Sequence, residues 1–161
     1  MAGSFACKSN AGVAPQDQLL GTMAGNRRLS IGLPAEHNGG EKRFPLTPEG
    51  VALLTKEGYR IFVESGAGEG IKYSDLHYTE AGAQATTASE VFRCDVVLKI
   101  TPLNEQEAAM IRPGVFLLTL LQPQYQSASV VRILMQKKVT AVAIDLITDE
   151  RGRYLFADIL D

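Results

Sequence analysis

Few residues of this chain are of a type and spacing that could do chemistry unaided. The two cysteines, Cys7 and Cys94, and the two histidines, His37 and His77, lie far apart in sequence. A zinc site needs three or four such ligands, and neither cysteine has metal-motif spacing. No metal is therefore expected. Cys94 borders an apolar run and is expected to be a small core residue, free cysteine being among the most buried types. The glycine-rich run Glu64 to Gly70, with Gly66 and Gly68 inside it, invites comparison with the dinucleotide fingerprint G-x-G-x-x-G. The third glycine would fall at Ile71. The following helix starts too late, at Ser74, for its N-terminus to hold a pyrophosphate. The acidic residue that should follow about 20 residues on has only Glu90 as a loose match. The run is expected to reverse the chain, with no cofactor bound there.

Composition narrows the classes further. The 161 residues are the size of one ordinary domain, with 45% hydrophobic and 21% charged residues. A net charge of −2, with no basic block longer than Arg27 and Arg28, leaves no electrostatic footprint for nucleic acid or a membrane surface. No segment reaches the roughly 18 apolar residues of a membrane span. The polar residues Lys8, Asn10, Gln16, Asp17 and Gln18 interrupt any signal-peptide core. A cytoplasmic protein with no membrane insertion is expected.

The elements that must position any site alternate along the chain. Residues 1–28 are rich in Gly, Ala, Ser, Asn and Gln and are expected to form a flexible N-terminal extension. Residues 29–161 form the domain. A strand at Leu29–Leu33 is ended by Pro34, and a Gly-rich loop runs to Thr47. Thr47 can cap a helix that has Pro48 at its first position and stops at Gly58. A strand at Tyr59–Val63, a helix from Ser74 to about Gly82 and a short strand at Ala83–Ala85 follow. Asp95–Ile100 is an almost continuous apolar strand, suited to burial on both faces. Asn104 caps a helix to Ile111, Val115–Leu121 is a strand, Gln124–Gln136 a helix, and Val139–Ile147 the last clear strand. The alternation predicts an α/β fold, a parallel sheet with helices on both faces and right-handed crossovers. Ligands of such sheets bind at the carboxyl ends of the strands. Beyond a turn at Gly152, Tyr154, Leu155 and Phe156 are apolar, and residues 157–161 read as the opening of a helix. A helix that short cannot stand alone, so the domain is expected to be truncated at its C-terminus.

Several stretches, in order, carry a resemblance. Ile31-Gly32-Leu33-Pro34 with Glu36 is the first, and Glu41, Arg43, Thr47, Pro48 and Val51 follow. Then come the glycine run 64–70, Tyr73, Asp75, Ala81-Gly82-Ala83, Asp95 to Lys99, Leu103, Arg112-Pro113-Gly114 and Val139-Thr140-Ala141. Over about residues 29 to 150 this chain resembles the N-terminal, substrate-side domain of the alanine dehydrogenase / pyridine nucleotide transhydrogenase family. The resemblance implies a Rossmann-like half of a two-domain dehydrogenase, with NAD or NADP bound mainly by a domain absent from this chain. It implies an arginine that grips a substrate carboxylate, which carries over as Arg43, and a guanidinium fork suits that role. The family lysine after the fourth strand and the histidine after the fifth fall on Thr101 and Gln122. Lys99 matches an earlier, usually non-catalytic lysine. Lys99 and Gln122 are the further substrate-binding candidates, and the catalytic residues are left unassigned.

Three functions follow from this resemblance. The first is the substrate-side domain of an NAD(P)-dependent oxidoreductase acting on a small carboxylate of the alanine or pyruvate type. The second is a transhydrogenase-like subunit moving hydride between NAD(H) and NADP(H). The third is a non-catalytic domain that keeps the fold and binds a ligand or a protein. The partners implied are a small carboxylate, a nucleotide-binding domain of the same or a partner chain, and further copies of the chain in a homo-oligomer.

Overall fold

The structure, a computed structural model, describes residues 28–37, 43–120 and 126–152. Residues 1–27 of the expected N-terminal extension, Gln122, and the segment from Tyr154 onward lie outside the described residues.

Six strands form one parallel sheet: β1 (Ser30–Leu33), β2 (Arg60–Glu64), β3 (Gln84–Thr86), β4 (Val96–Lys99), β5 (Phe116–Thr119) and β6 (Thr140–Ala143). Their spatial order is β3-β2-β1-β4-β5-β6. Among the described residues five α-helices connect them: α1 (Pro48–Lys56), α2 (Asp75–Glu80), α3 (Ala88–Val91), α4 (Glu105–Met110) and α5 (Ala128–Gln136). The chain winds outward from β1 to β3, returns through α3 to β4, and winds outward again to β6. Strand order therefore reverses between β1 and β4, and in open parallel sheets a crevice forms outside the carboxyl ends at that point.

Register decides which side chains share a face. Ile31 pairs with Ile61 and Val96, and Leu33 with Val63. These side chains meet Val51 of α1 and Tyr78 of α2 in one apolar cluster. Val97 and Leu117 pair and point the other way, toward Phe92, Ala108, Ile111, Val130 and Leu134 of the helices on the second face. Gly32 also lies on this face, and a Cβ there would sit 2.3 Å from the carbonyl oxygen of Val91. Glycine is what lets α3 lie directly on β1. On the first face the cover thins toward the far edge: Phe116 of β5, register partner of Val96, is 41% exposed.

Local signals explain most boundaries. The Thr47 hydroxyl accepts the Gly50 N–H at 3.4 Å, Pro48 opens α1, and Gly58 takes φ +94° just past its end. Asn104 and Glu107 form a reciprocal capping box at α4, with both hydrogen bonds at 2.9 Å. Two expectations need correction. The last strand stops at Ala143, and Ile144–Leu146 forms a 3-10 turn instead. β6 is an edge strand whose final register partner is Thr119, the last residue of β5, so past Ala143 it has no ladder to continue. The helix expected from Gln124 begins at Ala128, where the Ser127 hydroxyl accepts the Val130 N–H at 3.2 Å. Helix α3 was not expected, because four residues are too few to show a period. Among the described residues no helix is long and apolar enough to cross a membrane.

Candidate functional site

Lys99, Glu36 and Glu107 form a buried ionic cluster at the switch point. Lys99 ends β4, Glu36 lies three residues past β1, and Glu107 is on α4. Lys99 Nζ lies 3.0 Å from Glu36 Oε2 and 3.2 Å from Glu107 Oε1, and all three side chains are no more than 5% exposed. Lys99 also donates to the Ala35 carbonyl at 3.2 Å. Glu36 accepts further from the Ile100 N–H at 2.6 Å, the Thr101 N–H at 3.1 Å and the Thr101 hydroxyl. Glu107 Oε2 accepts the Asn104 N–H. Buried charges persist only where hydrogen bonds replace lost water, and here the two carboxylates have at least six donor contacts between them. The cluster stitches the loop after β1 to the loop after β4.

The same two strands are tied at their opposite ends. The Ser30 N–H and hydroxyl donate to Asp95 Oδ2 at 2.9 and 2.7 Å, and Arg112 reaches Asp95 Oδ1 at 2.9 Å. Burial pushes the Asp95 carboxyl up, but the two Ser30 bonds and Arg112 outweigh it and hold the group below the usual aspartate range.

Arg43 stands on the loop after β1 and is exposed. The residues beside it fix its place. The Phe44 ring meets Tyr78 edge-on at 5.8 Å, and the Tyr78 hydroxyl donates to the Leu46 carbonyl at 2.9 Å. Burial raises the Tyr78 phenol to about 12, as suits a structural hydroxyl. Arg43 borders two cavities. The larger, about 450 Å³, is mostly apolar and includes Phe44, Lys99, Leu118, Ile144 and Ile147. The smaller, about 260 Å³, is more polar and lies between the loop after β1 and the turn after β2, with Glu36, His37, Glu64 and Gly66 among its walls.

The sequence candidates fall out as follows. Arg43 and Lys99 come together at the larger cavity, but the Lys99 ammonium is committed to two carboxylates. Thr101 is buried and its hydroxyl is committed to Glu36. Gln122 lies outside the described residues. Cys94 is buried and its thiol is pushed up, mainly by burial, to about 11, so it is no nucleophile at neutral pH. His77 accepts the Ser74 N–H at 3.0 Å and serves as a cap. The glycine run does not fit a pyrophosphate. The Gly66 N–H is taken by Asp75 at 2.8 Å, and a Cβ on Gly68 would lie 2.5 Å from the Tyr78 ring. Its glycines serve the turn and close packing.

The roles of Glu36, Glu107, Glu64 and His37 were not assigned from sequence. Glu36 stood within the P-x-E motif, but nothing local shows that it reaches β4. Glu107 reads as an ordinary capping-box residue, which it also is.

The family model described as "Alanine dehydrogenase/PNT, N-terminal domain" matches residues 32–157. This chain belongs to that family. Alanine dehydrogenase of Staphylococcus saprophyticus is 34% identical over 120 residues, covering 74% of this chain and 32% of that protein. The NAD(P) transhydrogenase subunit alpha of Haemophilus influenzae is 29% identical over 119 residues, covering 74% of this chain and 23% of that protein. A solved L-alanine dehydrogenase superposes with a TM-score of 0.72 at 26% identity, covering 78% of this chain and 35% of that one. The chain thus spans about a third or less of the length of these relatives. The parallel α/β sheet with helices is the fold of both branches of the family.

Proposed function

We propose that this domain is the substrate-side half of an NAD(P)-dependent oxidoreductase acting on a small carboxylate of the alanine or pyruvate type. The observation that carries the reading is the position of Arg43. It lies beside the switch point, where such sheets bind ligands, and it borders both cavities there. Its guanidinium can take a carboxylate in two parallel hydrogen bonds. The buried Glu36–Lys99–Glu107 cluster holds the flanking loops in place beneath it, as a binding site on loops requires. The nicotinamide nucleotide belongs to a nucleotide-binding domain outside the described residues, since the glycine run does not fit one. When bound, it would accept or give the hydride.

Titration calorimetry with pyruvate tests the reading, using a protein that carries its nucleotide-binding domain. Binding at millimolar concentration or tighter is expected, with loss of at least tenfold in affinity in Arg43→Ala. No binding of pyruvate or alanine at several millimolar would sink it.

A transhydrogenase-like subunit is the second reading. It is favoured by the Thr101 hydroxyl being tied to Glu36 at the position where the resemblance to alanine dehydrogenases calls for a free lysine. Nucleotide binding with no carboxylate binding is the result that selects it.

A further inference from the structure

The smaller cavity holds a histidine and a carboxylate that lie outside the ionic cluster. Glu64 is the last residue of β2, and its side chain is only 15% exposed. One of its oxygens, Oε2, accepts the Ala35 N–H at 2.8 Å. The other, Oε1, faces His37 Nε2 at 3.6 Å, and the His37 ring is 61% exposed. The backbone of Ala35 thus fixes the carboxylate, and the carboxylate sits beside one nitrogen of the ring. An imidazole has two nitrogens, and a carboxylate this near one of them would orient the ring on closing to a hydrogen bond and leave the other nitrogen for a ligand. Both residues line the cavity that Arg43 also borders.

Elimination among the groups described here points the same way. Lys99 is held between two carboxylates, and the Thr101 hydroxyl is spent on Glu36. The Cys94 thiol and the Tyr78 phenol are raised to about 11 and about 12. His77 is engaged in its cap. Of the described side chains at the two cavities, His37 is the one imidazole, a group that can both accept and donate a proton.

We propose that His37, oriented by Glu64, is the proton-transfer residue of this site and acts on a substrate whose carboxylate is held by Arg43. This rests on the oxidoreductase reading above. In the oxidative direction the imidazole would take the proton that the substrate's nitrogen or hydroxyl releases, and in the reductive direction it would return that proton to the same atom. The nicotinamide nucleotide, when bound, would supply the two-electron acceptor or donor for the adjacent carbon. Glu64 is a positioning residue in this scheme.

The test uses the longest natural chain that contains residues 28–152, with its nicotinamide nucleotide. His37→Ala is expected to lower kcat about 100-fold or more, while pyruvate affinity by calorimetry stays within about threefold. Added imidazole is expected to restore turnover in proportion to its concentration. Glu64→Gln is expected to lower kcat about tenfold with no rescue by imidazole. A second readout needs no turnover. Pyruvate is expected to shift the His37 ring signals in the NMR spectrum of the wild-type protein, and Arg43→Ala to abolish that shift. His37→Ala with kcat within threefold of wild type, or reduced kcat with no imidazole rescue, would overturn the proposal and leave the oxidoreductase reading standing. A wild-type protein that binds and turns over no small carboxylate would overturn both.

Discussion

Lys99 makes the cost of a buried charge measurable. Two carboxylates depend on its ammonium, and neither has water to fall back on. Lys99→Met is expected to destabilise the domain by about 3–5 kcal/mol, because it leaves uncompensated charge in the interior. Replacing Lys99, Glu36 and Glu107 together by apolar residues of similar size is expected to cost much less, for the same reason. Urea denaturation of the single and triple variants checks this, and equal losses in the two would contradict it. Arg43→Ala should behave in the opposite manner. Its side chain is exposed, so the urea midpoint is expected to move far less than in Lys99→Met while the carboxylate affinity falls. Asp95 gives a pH signature. Its carboxyl is held below the ordinary aspartate value, so its contribution is complete above about pH 3.9 and is lost as pH falls through the lower folded value. Asp95→Asn is therefore expected to be less stable than the wild type at pH 6 and to lose less stability between pH 4 and 2. Parallel curves for the two proteins over that range would rule this out.

At the scale of elements, the close contacts of glycine and the faces of the strands set the tolerances. Gly32→Ala is expected to force α3 away from β1, since backbone at 2.3 Å cannot yield as a flexible side chain would. A loss of several degrees in melting temperature is the expected reading. Leu117→Ala, in the middle of the second-face cluster, is expected to cost about 2–5 kcal/mol. The elements themselves were largely legible in the sequence. Thr47-Pro48 and Asn104 announce helix starts through capping chemistry that acts within four residues. The apolar runs around Val97 and Leu117 announce strands buried on both sides. The ends of elements were less legible where a neighbour decides them. β6 stops where β5 stops, and no residue near Ala143 carries that information. The candidate site divides in the same way. Arg43 was a candidate from its motif, and the structure puts it on the wall of both cavities. The commitment of Lys99 to Glu36 and Glu107 could not, because it joins residues 63 and 8 positions apart through a fold that the sequence does not spell out locally.

On the scale of the whole molecule, β1 and β4 are fastened twice. Asp95, Ser30 and Arg112 hold their starting ends, and Glu36 holds the loops at their finishing ends. The strands between them can shift little without breaking one fastening or the other. That rigidity suits a crevice whose walls must hold a ligand in one geometry.

Both fastenings also join groups 65 residues apart along the chain. Closing so long a segment costs entropy before any contact repays it. The half containing β1, β2 and β3 can assemble from nearer neighbours, and the central seam should therefore close late on the folding path. Substitutions at Ser30, Glu36 or Asp95 are then expected to speed unfolding while leaving the refolding rate nearly unchanged. The crevice would be the last part of the domain to form and the first to open.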